Sequence, residues 1–210
     1  MAEPSRAALS RDRIAVAALS LIDRIGLAKF SMRKLGVELG ADPMAAYRHF
    51  TDQEDLFDGI AETLFDECDS ASLPWDGPWR ELAEQSCRRM RDVLLAHPHA
   101  VSVFATRPVR SPAAIDTGNR MIAALRDAGF PPALALQVTR CLREFTIGHV
   151  LTLTVVTLGG QRRSRKPAPG SPDYNLLAES ADGAAIDAHF DVGLTAMLDG
   201  FERMSTRPRA

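Results

Sequence analysis

Residues 31–50 read SMRKLGVELGADPMAAYRHF, and the organisation of the chain follows from this stretch. A hydroxyl side chain at Ser31 is placed to cap a short helix, whose apolar face is expected to be Leu35, Val37 and Leu39. Gly40 ends that helix, because glycine enters the left-handed conformation at a helix C-terminus without steric cost. Asp42 is an N-cap for a second helix, and Pro43 suits its first position, where a missing N–H costs nothing. That helix is expected to run from Pro43 to His49 or Phe50. Two short helices around a tight glycine turn make a helix-turn-helix.

The second helix of the pair has little to bury, since its large apolar residues are only Met44, Tyr47 and Phe50. Laid in a DNA major groove, it would offer Met44 and Ala45 as apolar contacts, Arg48 as a donor fork for a base edge, and Tyr47 and His49 as phosphate donors. The same spacing also fits an ordinary corner between two helices of a helical protein.

The flanking residues extend the pattern. An amphipathic first helix ends in Ile25-Gly26-Leu27, then come Ser31-Met32-Arg33-Lys34-Leu35, Gly40, the block Tyr47-Arg48-His49-Phe50, and Leu56 opening a fourth helix. With these elements in this order, residues 9–67 resemble the DNA-binding domain of the tetracycline-repressor (TetR) family. The resemblance implies an all-α chain with a three-helix DNA-binding domain and N-terminal arm over 1–52. A connecting helix over 53–70 and a helical ligand-binding and dimerisation domain over 71–210 follow. It implies a ligand-responsive transcriptional regulator, a repressor, that binds a palindromic operator as a homodimer and is released by a small, mostly apolar effector. The candidate DNA contacts are Ser31, Arg33, Lys34, Pro43, Met44, Ala45, Tyr47, Arg48, His49 and Gln53. Gln53 stands where the family commonly has a phosphate-binding lysine, which replaces a charge-assisted contact with a neutral one.

Composition is compatible with this reading. The 210 residues are 46% apolar with a net charge of −2. Residues 1–52 carry eight Lys or Arg against six Asp or Glu, while the remaining 158 carry 17 against 21. The small basic excess coincides with the helix-turn-helix. No apolar run has the length of a membrane span and the N-terminus lacks a signal-peptide core, so a cytoplasmic protein is expected. Cys68, Cys87 and Cys141 are too few and too far apart for a zinc site or a disulfide framework, and read as buried thiols.

Along the chain, Arg6, Arg11 and Arg13 read as a mobile arm. Thr51 and Glu54 form a capping box for the fourth helix. Residues 70–78 break the helical pattern. Amphipathic helices are then expected from Trp79 to about His97, from about His99 to Phe104, and from Pro112, bearing Ile115, Ile122 and Leu125, to a stop at Gly129. The longest helix, Pro131 to Leu158, is apolar nearly all round and should be buried on several sides. A Pro- and Gly-rich basic loop over 159–173 leads to a last helix with Ile186, Phe190, Leu194, Met197, Phe201 and Met204 in one stripe.

The two C-terminal helices carry more apolar surface than one subunit needs, so Leu151, Leu194 and Phe201 are candidate dimer contacts. A cavity is expected among Trp79, Ser86, Met90, Phe104, Arg107, Met121, Glu144 and Phe145, with Glu144 or an acidic ligand as partner of Arg107. In the resemblance, Val103 or Phe104 and Thr152 occupy the family's metal-ligand positions, so no metal is expected and a tetracycline–Mg²⁺ chelate is a poor effector. No cofactor is implied. His97 and His99 flank a proline and diverge, which disfavours a metal site. His149 reads as a core histidine. No catalytic motif appears, so an enzyme is not expected. A helical module binding a small molecule or a protein through a degenerate helix-turn-helix is the other reading the pattern allows.

Overall fold

The computed structural model describes residues 9–107, 109–158 and 188–205. These residues form helices α1 (Arg11–Ile25), α2 (Met32–Leu39), α3 (Pro43–Ala46), α4 (Gln53–Glu67), α5 (Trp79–Ala96), α6 (Val101–Thr106), α7 (Pro112–Asp127), α8 (Pro132–Thr157) and α9 (Ala188–Glu202). No strand occurs among them. No helix among them is long and apolar enough to cross a membrane.

Local chemistry accounts for most boundaries. The Ser10 side chain accepts the Arg13 N–H at the start of α1, and that of Ser31 accepts the Lys34 N–H at the start of α2. Gly40 lies at φ +58°, with its N–H on the Val37 carbonyl and the Ala41 N–H on Gly36, a Schellman closure. Asp42 accepts the Met44 N–H at 2.7 Å, and Pro43 opens α3.

Several expectations need correction. Val37 is 80% exposed, because two residues along a helix turn the side chain by about 200°; the buried face of α2 is Met32, Leu35 and Gly36. The α3 helix is only four residues long, and Arg48 and His49 close i→i+3 turns on Ala45 and Ala46. Arg11 belongs to the first turn of α1 and not to an arm; Arg6 lies outside the described residues. The α4 cap sits one residue further on than expected. Asp52 accepts the Asp55 N–H, and Asp55 accepts the N–H and hydroxyl of Thr51, which leaves Glu54 on a different face. Ile115 and Met204 are exposed. Cys141 is exposed as well, while Cys68 and Cys87 are buried. The loop over 159–173 and Ile186 lie outside the described residues.

Two apolar cores result. The first gathers Ile14, Ile22, Leu35, Phe50, Leu56, Ile60 and Leu64 from α1–α4, and continues into Leu94, Val101, Phe104, Ile147 and Val150. The second joins α5, α7, α8 and α9 through Leu82, Leu125, Val138, Leu142, Phe190 and Leu198. Helix α8 serves the second core with its N-terminal half and the first with its C-terminal half, which is why its sequence is apolar nearly all round. The helix-turn-helix is thus not packed apart from the C-terminal helices.

Candidate DNA-reading surface and ligand cavity

The turn region between α2 and α4 presents an outward-facing polar surface. Phe50 and Ala46 are buried and hold the segment down, while Met44 is 65% exposed and Tyr47 and Arg48 also point to solvent. Ala45 and His49 are half-buried, and Pro43 takes the first position of α3. On α2, Arg33 and Lys34 are exposed, and the Lys34 ammonium donates to the Lys29 carbonyl at 2.7 Å. Ser31 is half-buried and acts here as the cap of α2. Gln53 is exposed in the first turn of α4. The Arg33 and Arg48 guanidiniums make no hydrogen bond or ion pair with any described residue, so both remain available.

The segment is latched from behind by Arg11. Its guanidinium donates to the His49 carbonyl at 3.1 Å and to Asp55 Oδ1 at 2.5 Å, and lies 4.2 Å over the Phe50 ring. The Arg11 hydrogen bond outweighs burial and, with the Thr51 N–H, holds the Asp55 carboxyl down to about 2. Packing is tight here too, since a Cβ at Gly59 would come within 2.9 Å of the Phe50 ring.

A cavity of about 560 Å³ opens among α4–α8. Ser86 and Met90 on α5, Phe104 and Arg107 at the end of α6, and Met121 on α7 line it, as do Phe65, Thr117, Thr139, Leu142 and Arg143. Three expected residues do not. Trp79 packs edge-on against Phe130 at 5.0 Å, and Phe145 stacks on Phe190 at 5.4 Å, both in the second core. Glu144 is exposed; on α8 it stands about 100° from Arg143, which faces inward in its place. The row Thr139, Leu142, Arg143, at steps of three and four on an otherwise apolar helix, was the sequence signal for that wall.

Arg107 finds its carboxylates on α4 and not at Glu144. It donates to Asp58 Oδ1 at 3.0 Å, to the Glu54 carbonyl at 3.1 Å and to the Glu54 carboxylate, and lies 5.7 Å over the Phe57 ring. At the other end of α4, His97 bridges Asp23 of α1 at 2.7 Å and Glu67 at 2.8 Å. Both ring nitrogens donate only in the imidazolium form. Burial disfavours that form, but the hydrogen bonds His97 donates to Asp23 and Glu67 outweigh it and raise the pKa. Among the described residues no group of three His, Cys, Asp or Glu side chains is placed to hold a metal ion. Val103 is buried in the first core and the Thr152 hydroxyl donates to the Gly148 carbonyl.

Comparison with known proteins agrees with this geometry. Residues 14–60 match the model of bacterial regulatory proteins of the tetR family, and residues 72–205 match that of the tetracyclin repressor-like C-terminal domain. The chain belongs to the TetR family. It is 33% identical over 201 residues to an HTH-type transcriptional regulator of Saccharopolyspora erythraea, covering 91% of this chain and 84% of that one. A possible TetR family regulator from Streptomyces coelicolor A3(2) superposes with a TM-score of 0.78 at 30% identity, over 92% of this chain and 99% of that chain. The TetR family protein ActR of Streptomyces coelicolor, in complex with actinorhodin, gives 0.79 at 26% identity, over 96% and 100%. The protein is a ligand-responsive, DNA-binding transcriptional repressor.

In this TetR-family chain the expected dimer contacts fall unevenly. Leu194 is 1% exposed, buried by its own subunit in the second core, so it is not a surface residue. Its stripe on α9 faces inward, and the large apolar side chain that α9 leaves in solvent is Val192. Leu151 and Phe201 are half-buried, packed against the first and second cores respectively. His149 is buried beside His189 and Phe190, at ring distances of 4.7 and 4.9 Å.

Proposed function

We propose that the repressor grips its operator with residues of the α2–α4 surface and lets go when a small, mostly apolar effector fills the cavity. The observation that carries this reading is the position of Arg107, which is at once a wall of the cavity and the partner of Glu54 and Asp58 on α4. Asp55, between those two residues, holds the reading segment through Arg11. A ligand that moves Arg107 therefore acts on the same helical turn that fixes His49 and Phe50. The first core buries Leu56, Ile60 and Leu64 along the length of α4 and resists bending within it, so the response is a change in its tilt, which alters the spacing of two reading surfaces.

Arg48 is the base-reading residue, with Arg33, Lys34, Tyr47, His49 and Gln53 on the phosphates and Met44 and Ala45 in apolar contact with bases. Residues 1–52 act as the reading unit, 53–70 as the connecting helix and 71–210 as the effector and dimerisation unit. The dimer forms through α8 and α9, with Leu136 and Val192, both exposed here, beside Leu151 and Phe201. Two-fold symmetry then places reading surfaces about one DNA turn apart, about 34–36 Å. Driving the population from 99:1 bound to 1:99 takes a differential affinity of about 5.5 kcal/mol between the two conformations.

Selection of duplexes from a random DNA pool, followed by anisotropy titration at two salt concentrations, tests this reading. The expected result is an enriched palindrome bound by a dimer. Binding that depends steeply on salt but enriches no sequence would overturn it.

A further inference from the structure

The cavity wall carries a charge that no carboxylate of the described residues balances. Two arginines line it, and no Asp or Glu does. The charge of Arg107 is matched by Glu54 and Asp58. Arg143 differs: it donates to the Phe104 carbonyl at 3.2 Å and lies 5.4 Å over the Phe104 ring, and no carboxylate of the described residues is within ion-pair distance. Burial works against its charge, with Glu144 a smaller opposing influence, yet a guanidinium does not give up its proton in a protein. A half-buried cation with most of its N–H donors unused is costly unless something anionic arrives to meet it.

The other polar groups sharpen the picture. The Thr106 and Thr139 hydroxyls donate to the Ser102 and Ala135 carbonyls of their own helices. Burial pushes the Cys87 thiol up to about 11, so it is neutral at physiological pH. The Ser86 and Thr117 hydroxyls also line the space and make no hydrogen bond to a described residue. Among the described residues the cavity therefore has one guanidinium without a carboxylate partner, that of Arg143, and two free hydroxyls, in walls that are mostly apolar. A second anionic group would find no unmatched cation, and a ligand cation would be repelled.

We propose that the effector is an apolar monocarboxylic acid whose carboxylate forks onto Arg143. This rests on the reading of the cavity as the effector site. Parallel N–H···O pairs make a guanidinium a geometric match for a carboxylate, and the bond to the Phe104 carbonyl holds Arg143 at the wall. The remainder of the acid lies against Met90, Met121 and Leu125.

The test compares 2-naphthoate and decanoate, a fused-ring and a chain acid, with their neutral amides by calorimetric titration of the full chain. At least one acid is expected to bind about tenfold or more tightly than its amide, a difference of about 1.4 kcal/mol. Arg143→Gln should abolish that preference and Arg143→Lys should restore part of it. Equal binding of acid and amide to the unaltered protein, a preference that survives Arg143→Gln, or no binding of either acid at millimolar concentration would each overturn the proposal.

Gly118 separates this from failure of the cavity reading. Gly118 lines the cavity and a Cβ there meets nothing within 4 Å, so Gly118→Leu should take up cavity space while replacing a poor helix former with a good one. If acid and amide bind equally and both are excluded by Gly118→Leu, the cavity is the site and the charge inference falls. Acid binding unaffected by Gly118→Leu would place the ligand elsewhere, and both readings fall.

Discussion

The DNA-reading surface and the cavity are both built around pairs of arginines, and they use them in opposite ways. Arg33 and Arg48 stand in solvent with no partner among the described residues, whereas Arg107 and Arg143 are half-buried against carboxylates, a carbonyl and aromatic rings. An exposed guanidinium in water costs the fold nothing and can be given wholly to a partner molecule. A half-buried one is tied into the structure, so whatever touches it also touches the fold. Substitutions at Arg33 and Arg48 are accordingly expected to leave stability unchanged, while a change at the cavity wall is felt in α4.

The largest effect expected is on the core that both regions share. Leu64→Ala, on the buried face of α4, should cost about 2–5 kcal/mol, and reading surface and cavity should unfold together in one calorimetric transition. Two separate transitions would break the comparison, because the regions would then be independent bodies. Arg48→Ala should cost about 1–3 kcal/mol of operator discrimination at one base pair and leave the melting temperature unchanged. Equal loss on all DNA sequences would make Arg48 a phosphate contact.

Arg107→Ala sharpens the same contrast. It should retain effector binding but reduce the coupling between effector and operator, of the order of 1–3 kcal/mol in such systems, as read by operator release in anisotropy titrations. Release as complete as in the unaltered protein would remove Arg107 from the pathway.

The smallest effect is on pH dependence. His97 has a raised pKa in the folded chain, so its contribution to stability is complete below the ordinary histidine pKa of about 6.5 and is lost as pH rises through the folded value. Asp55, held down to about 2, behaves in the opposite sense. Its contribution is present above the ordinary carboxylate value and fades as pH falls toward 2. Denaturant titrations of His97→Gln and the parent protein should therefore converge as pH rises from 6 to 9. A constant difference would mean that His97 acts through packing alone.

The sequence was most legible where function depends on neighbours along the chain. Ser31, Gly40, Asp42 and Pro43 place the helix-turn-helix by capping and turn chemistry, which acts within a few residues. Even there, the shortness of α3 was hidden, because the Arg11 latch on His49 and Asp55 spans 38 and 44 residues. The cavity was legible only in part. Ser86, Met90, Phe104, Arg107 and Met121 were identified as inward-facing, but Trp79 and Phe145 had equal claim by spacing, and their packing on Phe130 and Phe190 is decided by other helices. Arg143 and not Glu144 lines the cavity, one step around a helix whose apolar residues cover nearly every face and give no phase.

By itself the sequence determined the helical architecture, the place of the helix-turn-helix and the family, because capping, glycine turns and apolar periodicity act locally along the chain. Only the tertiary structure decided which carboxylates Arg107 joins, that Leu194 belongs to its own subunit's core, and that Arg143 faces the cavity with no counter-charge among the described residues. Those facts depend on how helices far apart in sequence are rotated against one another. Periodicity within one helix does not specify that rotation; packing two cores at once does.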